Sequence, residues 1–222
     1  MKQLDKKLGK HIDFLIQRYP SLNMVKDDII GAYLILEECY EKGGKLLIAG
    51  NGGSAADSEH IAGELMKRFK IQRPVTEEFA KRLIEIDPNL GPDLAKNLEQ
   101  SLMAIPLVAH EALSTAYIND VDGLGVFAQQ LMGFGVKGDV FLGISTSGNS
   151  RNILNATVVA RASGIKVIGL TGANGGELAK VADVSIKVPE VETYMIQELH
   201  LPVYHCICLM LEDRFFGGEL ND

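Results

Sequence analysis

Two short polar loops and a scattered set of carboxylates and histidines hold the chemistry this chain could perform. The first loop, Gly50-Asn51-Gly52-Gly53-Ser54, follows the apolar run Lys45–Ala49. The second, Ser145-Thr146-Ser147-Gly148-Asn149-Ser150, follows Val140–Ile144. Each reads as strand, tight turn and helix start. Such a turn offers free backbone N–H groups, hydroxyls and the positive end of a helix dipole, a combination that suits a phosphate. Serine at a helix start can also be a simple N-cap. A cap uses one hydroxyl, however, and Ser145, Thr146 and Ser147 are consecutive, with Ser150 one helical turn beyond. Neither loop is a GxxxxGK[ST] phosphate loop or a dinucleotide fingerprint. Together they predict a site for a phosphorylated small molecule.

His60 and Glu64 follow the first loop at a spacing of four, which puts both on one helix face. Gln197, Glu198, His200 and His205 lie on the last helix. Gln197 and His205 are separated by about 80° around that helix and roughly 12 Å along it. A carboxylate and a histidine meeting over a sugar phosphate could move protons. The same residue types ligate metals, and a histidine on an amphipathic helix can also simply cap or pack.

These residues need a frame to position them. Leu4–Gln17 has helical spacing, and a second helix runs from the Pro20-Ser21 break to Lys42, where Gly43-Gly44 ends it. The pattern then alternates. Strands are expected over Lys45–Ala49, Ala104–Ala109 (interrupted by Pro106), Asp139–Ile144, Lys166–Leu170 and Asp183–Val188. Helices are expected over Ser54–Phe69, Asp122–Phe134, Asn149–Ser163, Glu177–Ala182 and Thr193–Phe215. Short continuous apolar strands alternating with helices indicate a parallel sheet covered on both faces, with ligands at the strands' carboxyl ends. Residues 70–103 fit this rhythm less well. They read as two helices, Thr76–Ile86 and Pro92–Met103, forming an insertion between the first two strands.

Composition narrows the classes. The 222 residues fit one domain with helical additions, and the net charge of -7 lacks the footprint of a nucleic-acid binder. A basic patch at Lys67, Arg68 and Lys70 reads as an anion clamp or a solvated helix face. Cys39, Cys206 and Cys208 form neither a CxxC motif nor a zinc-site pair, and read as reduced core thiols. The charged N-terminus is not a signal peptide, and no run approaches the roughly 20 apolar residues of a membrane span. A cytoplasmic protein with no membrane partner is expected.

The chain resembles the SIS (sugar isomerase) family and, within it, the phosphoheptose isomerases, which convert sedoheptulose 7-phosphate to D-glycero-D-manno-heptose 7-phosphate. The resemblance is carried by Gly50–Leu65, Leu142–Ser150, Val167–Gly172, Gln197–His200 and His205. It implies an α/β fold, a flavodoxin-like five-stranded parallel sheet flanked by helices. Residues 1–222 would form a single SIS domain, with N-terminal helices over 1–42 and the insertion over 70–103. Ser54, Ser145, Thr146, Ser147 and Ser150 would hold the phosphate. Asn51, Gly52, Gly53, Asn119, Asp120 and Gln197 would bind the sugar together with Glu64, and Arg68 would reach substrate from a neighbouring subunit. Glu64 would be the general base, and His205 would shuttle a proton between the oxygens of an enediol. Members with bound zinc use the positions of His60, Glu64, Gln197 and His205, so one Zn2+ per subunit is implied. A homotetramer with sites at subunit interfaces is the family's usual assembly.

Two departures stand out. Tyr194 occupies a position where the family often has a small polar residue, and the 70–103 insertion replaces a shorter connection. The rival readings are an isomerase of another phosphorylated ketose, and a non-catalytic binding protein of the replication-initiator-associating type. The latter lacks the acid and histidine found here as Glu64 and His205.

Overall fold

The computed structural model describes residues 4–218; the outermost parts of the expected 1–42 helical segment and 1–222 domain, residues 1–3 and 219–222, lie outside the described residues. Five strands form one parallel sheet in the order β2-β1-β3-β4-β5, as expected. They are β1 (Leu46–Ala49), β2 (Ala104–Pro106), β3 (Val140–Ile144), β4 (Lys166–Thr171) and β5 (Val184–Lys187). The helices are α1 (Lys6–Arg18), α2 (Lys26–Glu41), α3 (Gly53–Met66), α4 (Glu77–Ile86), α5 (Gly91–Asn97), α6 (Glu111–Asp120), α7 (Val126–Phe134), α8 (Arg151–Ala162), α9 (Gly176–Val181) and α10 (Thr193–Phe216).

The apolar strands are continuous in sequence because both faces of the sheet are covered. Leu46, Ile48, Val140, Leu142, Ile144, Ile168 and Leu170 point into a core shared with α1, α2, α3 and α10. Leu47, Ala49, Phe141 and Val167 point into a second core with α7, α8 and α9. The alternation follows the two-residue period of a strand.

The chain departs from the sequence reading in three places. Only Ala104–Pro106 pairs as strand, and Leu107–Ala109 turns into a 3₁₀ segment. β2 is an edge strand, where a proline without an N–H is tolerated. In the insertion, α5 ends at Asn97, because the chain returns to its starting point: the Gln100 N–H donates to the Arg73 carbonyl at 2.7 Å, and Pro74 bridges Glu99. Finally, α6 fills a stretch with no assigned element. It buries no residue, so no apolar stripe marks it.

Candidate active site

Both polar loops lie at the carboxyl ends of adjacent strands, β1 and β3. Gly148 turns the second loop in a left-handed conformation, φ +67°, where a Cβ would stand 2.0 Å from the Gly175 carbonyl oxygen. Only glycine fits there. The Ser145 and Ser150 hydroxyls lie 2.9 Å apart, and the Asn149 N–H donates to Ser147 Oγ at 3.2 Å. Among the described residues, the N–H groups of Thr146 and Ser147 donate to no backbone carbonyl. Thr146, Ser147, Gly172 and Thr193 line a cleft of ≈ 200 Å³. Ser54 is buried at the start of α3, and Ser58 donates to its carbonyl at 2.8 Å.

The first loop is tied to the start of α8, the helix that follows the second loop, by a contact not foreseen in the sequence. Asn51 and Asn152 exchange amide hydrogen bonds of 3.0 and 2.8 Å. Gln197, at the start of α10, covers the first loop: a Cβ on Gly53 would stand 2.6 Å from its Nε2.

Further along α3 lies a cluster of titratable groups. His60 Nε2 is 3.2 Å from Glu64 Oε1 and 3.5 Å from His205 Nε2, and His60 Nδ1 is 3.0 Å from the Tyr204 hydroxyl. Tyr204 in turn donates to Asp57 Oδ1 at 3.2 Å. Burial and the neighbouring His60 hold His205 below the ordinary histidine pKa, so its imidazole is neutral at pH 7. Burial pushes the Asp57 carboxyl up, and the Tyr204 hydrogen bond opposes that shift.

A buried ion pair holds the two helices of this cluster together. Arg73 and Glu212 meet at 2.8 Å with both side chains essentially inaccessible. Arg73 also donates to the Leu65 and Glu64 carbonyls at 2.8 and 3.2 Å, at the end of α3. Glu212, on α10, accepts from the Phe69 and Lys70 N–H groups at 2.7 and 2.8 Å. The pair therefore joins the helix of Glu64 to the helix of His205. Nothing local in the sequence marks Arg73 as a core residue.

The predicted residues divide into four groups. The two loops and Gln197 come together at one end, and His60, Glu64 and His205 at the other. Asn119 and Asp120 bond each other at 2.8 Å at the exposed end of α6, and Arg68 pairs with Glu99 of the insertion at 3.2 Å. The roughly 12 Å rise along a helix between Gln197 and His205 is resolved by assigning them to different ends: Gln197 to the first loop, His205 to His60. Pro202 lies between them inside α10. The three cysteines are free and buried, and burial pushes the Cys206 thiol up to about 12.

Among the described residues, no group of three or more His, Cys, Asp and Glu side chains is arranged to hold a metal ion. Glu64, His60 and His205 form a hydrogen-bonded chain, two imidazoles and a carboxylate. Their donor types are those that zinc takes, although the three are not arranged as a metal site here. No helix among the described residues is long and apolar enough to cross a membrane.

Comparison with known proteins agrees with this geometry. The SIS domain family model matches residues 20–88 and 92–172. A phosphoheptose isomerase of Aneurinibacillus thermoaerophilus is 41% identical over 182 residues, spanning 82% of this chain and 79% of that protein. Phosphoheptose isomerase 2 of Campylobacter jejuni is 41% identical over 189 residues, spanning 85% and 81%. The solved structure of a phosphoheptose isomerase from Francisella tularensis, 30% identical, superposes with a TM-score of 0.73 over 93% of this chain and 97% of that one. The family model spans both serine-containing loops and covers more than half of the sequence, and the chain belongs to the SIS domain family.

Proposed function

We propose that this protein is an aldose–ketose isomerase that interconverts sedoheptulose 7-phosphate and D-glycero-D-manno-heptose 7-phosphate, supplying heptose for biosynthesis. The observation that carries the reading is the contact of Glu64 and His205 with one imidazole, His60, on the helix that begins at the phosphate-type loop. The curated relatives named phosphoheptose isomerase support the substrate.

The phosphate is held by Ser54, Ser145, Thr146, Ser147 and Ser150 at the strand ends. Remote binding of this kind orients the reacting end of the sugar. Glu64 removes a proton from C1 of the ketose, and the C1–C2 double bond of an enediol forms as the carbonyl electrons move to O2. His205 delivers a proton to O2 and takes the one on O1. Glu64 then returns its proton to C2, leaving the aldehyde at C1. A base and a neutral imidazole suffice for both transfers. Asn51, Gly52, Gly53, Asn119, Asp120 and Gln197 contact the sugar hydroxyls, and Arg68 reaches it from a neighbouring subunit.

His60, Glu64 and His205 would hold one zinc ion per subunit, with Gln197, which lies over the first loop of its own chain, completing the set from a neighbouring subunit; such an ion would supply Lewis-acid polarisation of the sugar oxygens. The donor types in the cluster support this assignment. The protein acts in the cytoplasm as a homotetramer with sites at subunit interfaces. An apolar cavity between α1 and α10, lined by Phe14, Leu15, Phe69, Leu201 and His205, supports an interface beside the site. Residues 1–222 are read as a single SIS domain with its insertion over 70–103.

The test is turnover of sedoheptulose 7-phosphate against a panel of pentulose and hexulose phosphates. Preference for the heptulose is expected. Preference for a shorter ketose moves the protein to another isomerase class, and no turnover of any of them favours the binding-protein reading.

A further inference from the structure

The insertion over 70–103 has no part in the chemistry described above, yet its root meets the site at one residue. The chain leaves α3 at Met66 and comes back beside its own departure. The Gln100 N–H donates to the Arg73 carbonyl at 2.7 Å, Gln100 Nε2 to the Pro74 carbonyl at 2.8 Å, and the Leu102 N–H to the Leu65 carbonyl at 3.0 Å. This returning limb sets Glu99 against Arg68. Glu99 Oε2 accepts from the Arg68 backbone N–H at 3.0 Å, and Oε1 lies 3.2 Å from Arg68 Nε. Among the described residues, the two terminal nitrogens of Arg68 have no hydrogen-bond partner. Lys67 Nζ joins this corner to the site, 3.5 Å from Glu64 Oε2 and 3.3 Å from the Arg68 carbonyl. In the isomerase reading, the neighbourhood of Glu64 is the reacting end of the sugar, away from the held phosphate.

Charge makes the Glu99 contact more than a brace. The loops Gly50–Ser54 and Ser145–Ser150 contain no lysine or arginine. An unbalanced arginine at the sugar would compete with them for the substrate's phosphate, and would hold a second anionic group where the substrate has a hydroxyl. A carboxylate 3.2 Å from the guanidinium offsets that charge and repels an approaching anion. The terminal N–H groups remain donors, and a neutral hydroxyl oxygen accepts from them without meeting that repulsion. Discrimination between ligands commonly uses such a repulsive element beside an attractive one.

We propose that Glu99 is a specificity-determining residue: it turns Arg68 from an anion site into a hydroxyl-recognising group, so that the site takes ketose monophosphates and rejects sugars with a second anionic group at the reacting end. The inference rests on the isomerase reading, in which Arg68 contacts the sugar, and extends it by giving the insertion a part in substrate choice.

The test is binding of sedoheptulose 7-phosphate and of sedoheptulose 1,7-bisphosphate, followed by titration calorimetry at low and at high salt. The unsubstituted protein should bind the monophosphate at least as tightly as the bisphosphate. Glu99→Gln keeps an acceptor for the Arg68 N–H and removes the charge. It should tighten binding of the bisphosphate by about tenfold at low salt, with the monophosphate little changed, and the gain should shrink at high salt. Glu99→Asp, which retains the charge, should stay near the unsubstituted protein. Arg68→Gln alone bares the Glu99 charge and should weaken the bisphosphate more than the monophosphate. The double variant Arg68→Gln/Glu99→Gln should lose the gain, because the cation that the second phosphate uses is gone. An unchanged bisphosphate affinity in Glu99→Gln, an equal change for both sugars, or a gain that survives in the double variant would overturn the proposal. A merely structural role for Glu99 would weaken both sugars alike. If the unsubstituted protein binds the monophosphate without isomerising it, the isomerase reading fails while the ratio of affinities still decides the role of Glu99. If it binds neither sugar, the proposal falls with the reading.

Discussion

The two ends of the site are made of different materials. The loop end is largely backbone and short hydroxyls, set by strands β1 and β3 and by Gly148, whose left-handed turn is packed against Gly175. The helix end is made of long side chains from α3 and α10, whose relative placement depends on tertiary contacts such as the Arg73–Glu212 pair. A grip built on backbone is specified locally and changes little when one side chain is removed. A proton-transfer cluster built across two helices is specified by the whole fold, so single changes there should be costly.

That contrast can be broken most directly at Arg73. Replacing it with methionine leaves the Glu212 carboxylate buried without its cation. Losing one partner of a buried pair typically costs about 3–5 kcal/mol, and a urea titration of Arg73→Met should show a loss of that size. A loss below about 1 kcal/mol would mean that the pair does not hold the helices.

Kinetics separate the two ends next. His205→Ala should lower kcat by about a hundredfold or more, with KM little changed, because it removes a group used in the transition state. Ser145→Ala should do the reverse, raising KM by about tenfold with kcat nearly intact, since a lost hydrogen bond to a charged group is worth about 1.5–3 kcal/mol. If both variants changed the same parameter, the division of labour would be wrong.

A smaller effect concerns the frame between the ends. His200 is fully buried on α10, and among the described residues its one polar neighbour is the Thr171 backbone, which opposes the effect of burial only weakly. Burial lowers its pKa from 6.5 to about 4. The unfolded chain therefore binds a proton at this residue at a higher pH than the folded one. The stability tied to neutral His200 is complete above pH 6.5 and is lost as the pH falls toward 4, at most on the order of 3 kcal/mol. Urea midpoints at pH 7.5 and pH 5 should differ in that direction, and His200→Met should flatten the difference.

The same contrast explains what the sequence made legible. The loops could be read because glycine and serine clusters after apolar runs have local meaning. His60 and Glu64 could be paired because helical spacing alone places them on one face. Tyr204 could not, since a tyrosine in an apolar helix looks like any core aromatic until Asp57 and His60 are found against it. Arg73 could not be singled out because its burial depends on Glu212, 139 positions away. Helix α6 escaped because it buries no face, and α5 ended early because the return pairing of Pro74 with Glu99 outweighs local helix preference. Residues set by their own neighbours in sequence were readable, whereas those set by distant partners were not.

The central claim is that Glu64 is the base of a sugar-phosphate isomerase, and Glu64→Gln tests it most directly. The amide keeps the size of the side chain but cannot accept the carbon proton. Turnover of sedoheptulose 7-phosphate should fall by about a thousandfold relative to the unsubstituted protein, while the heptulose phosphate still binds. Full turnover by Glu64→Gln would contradict the account.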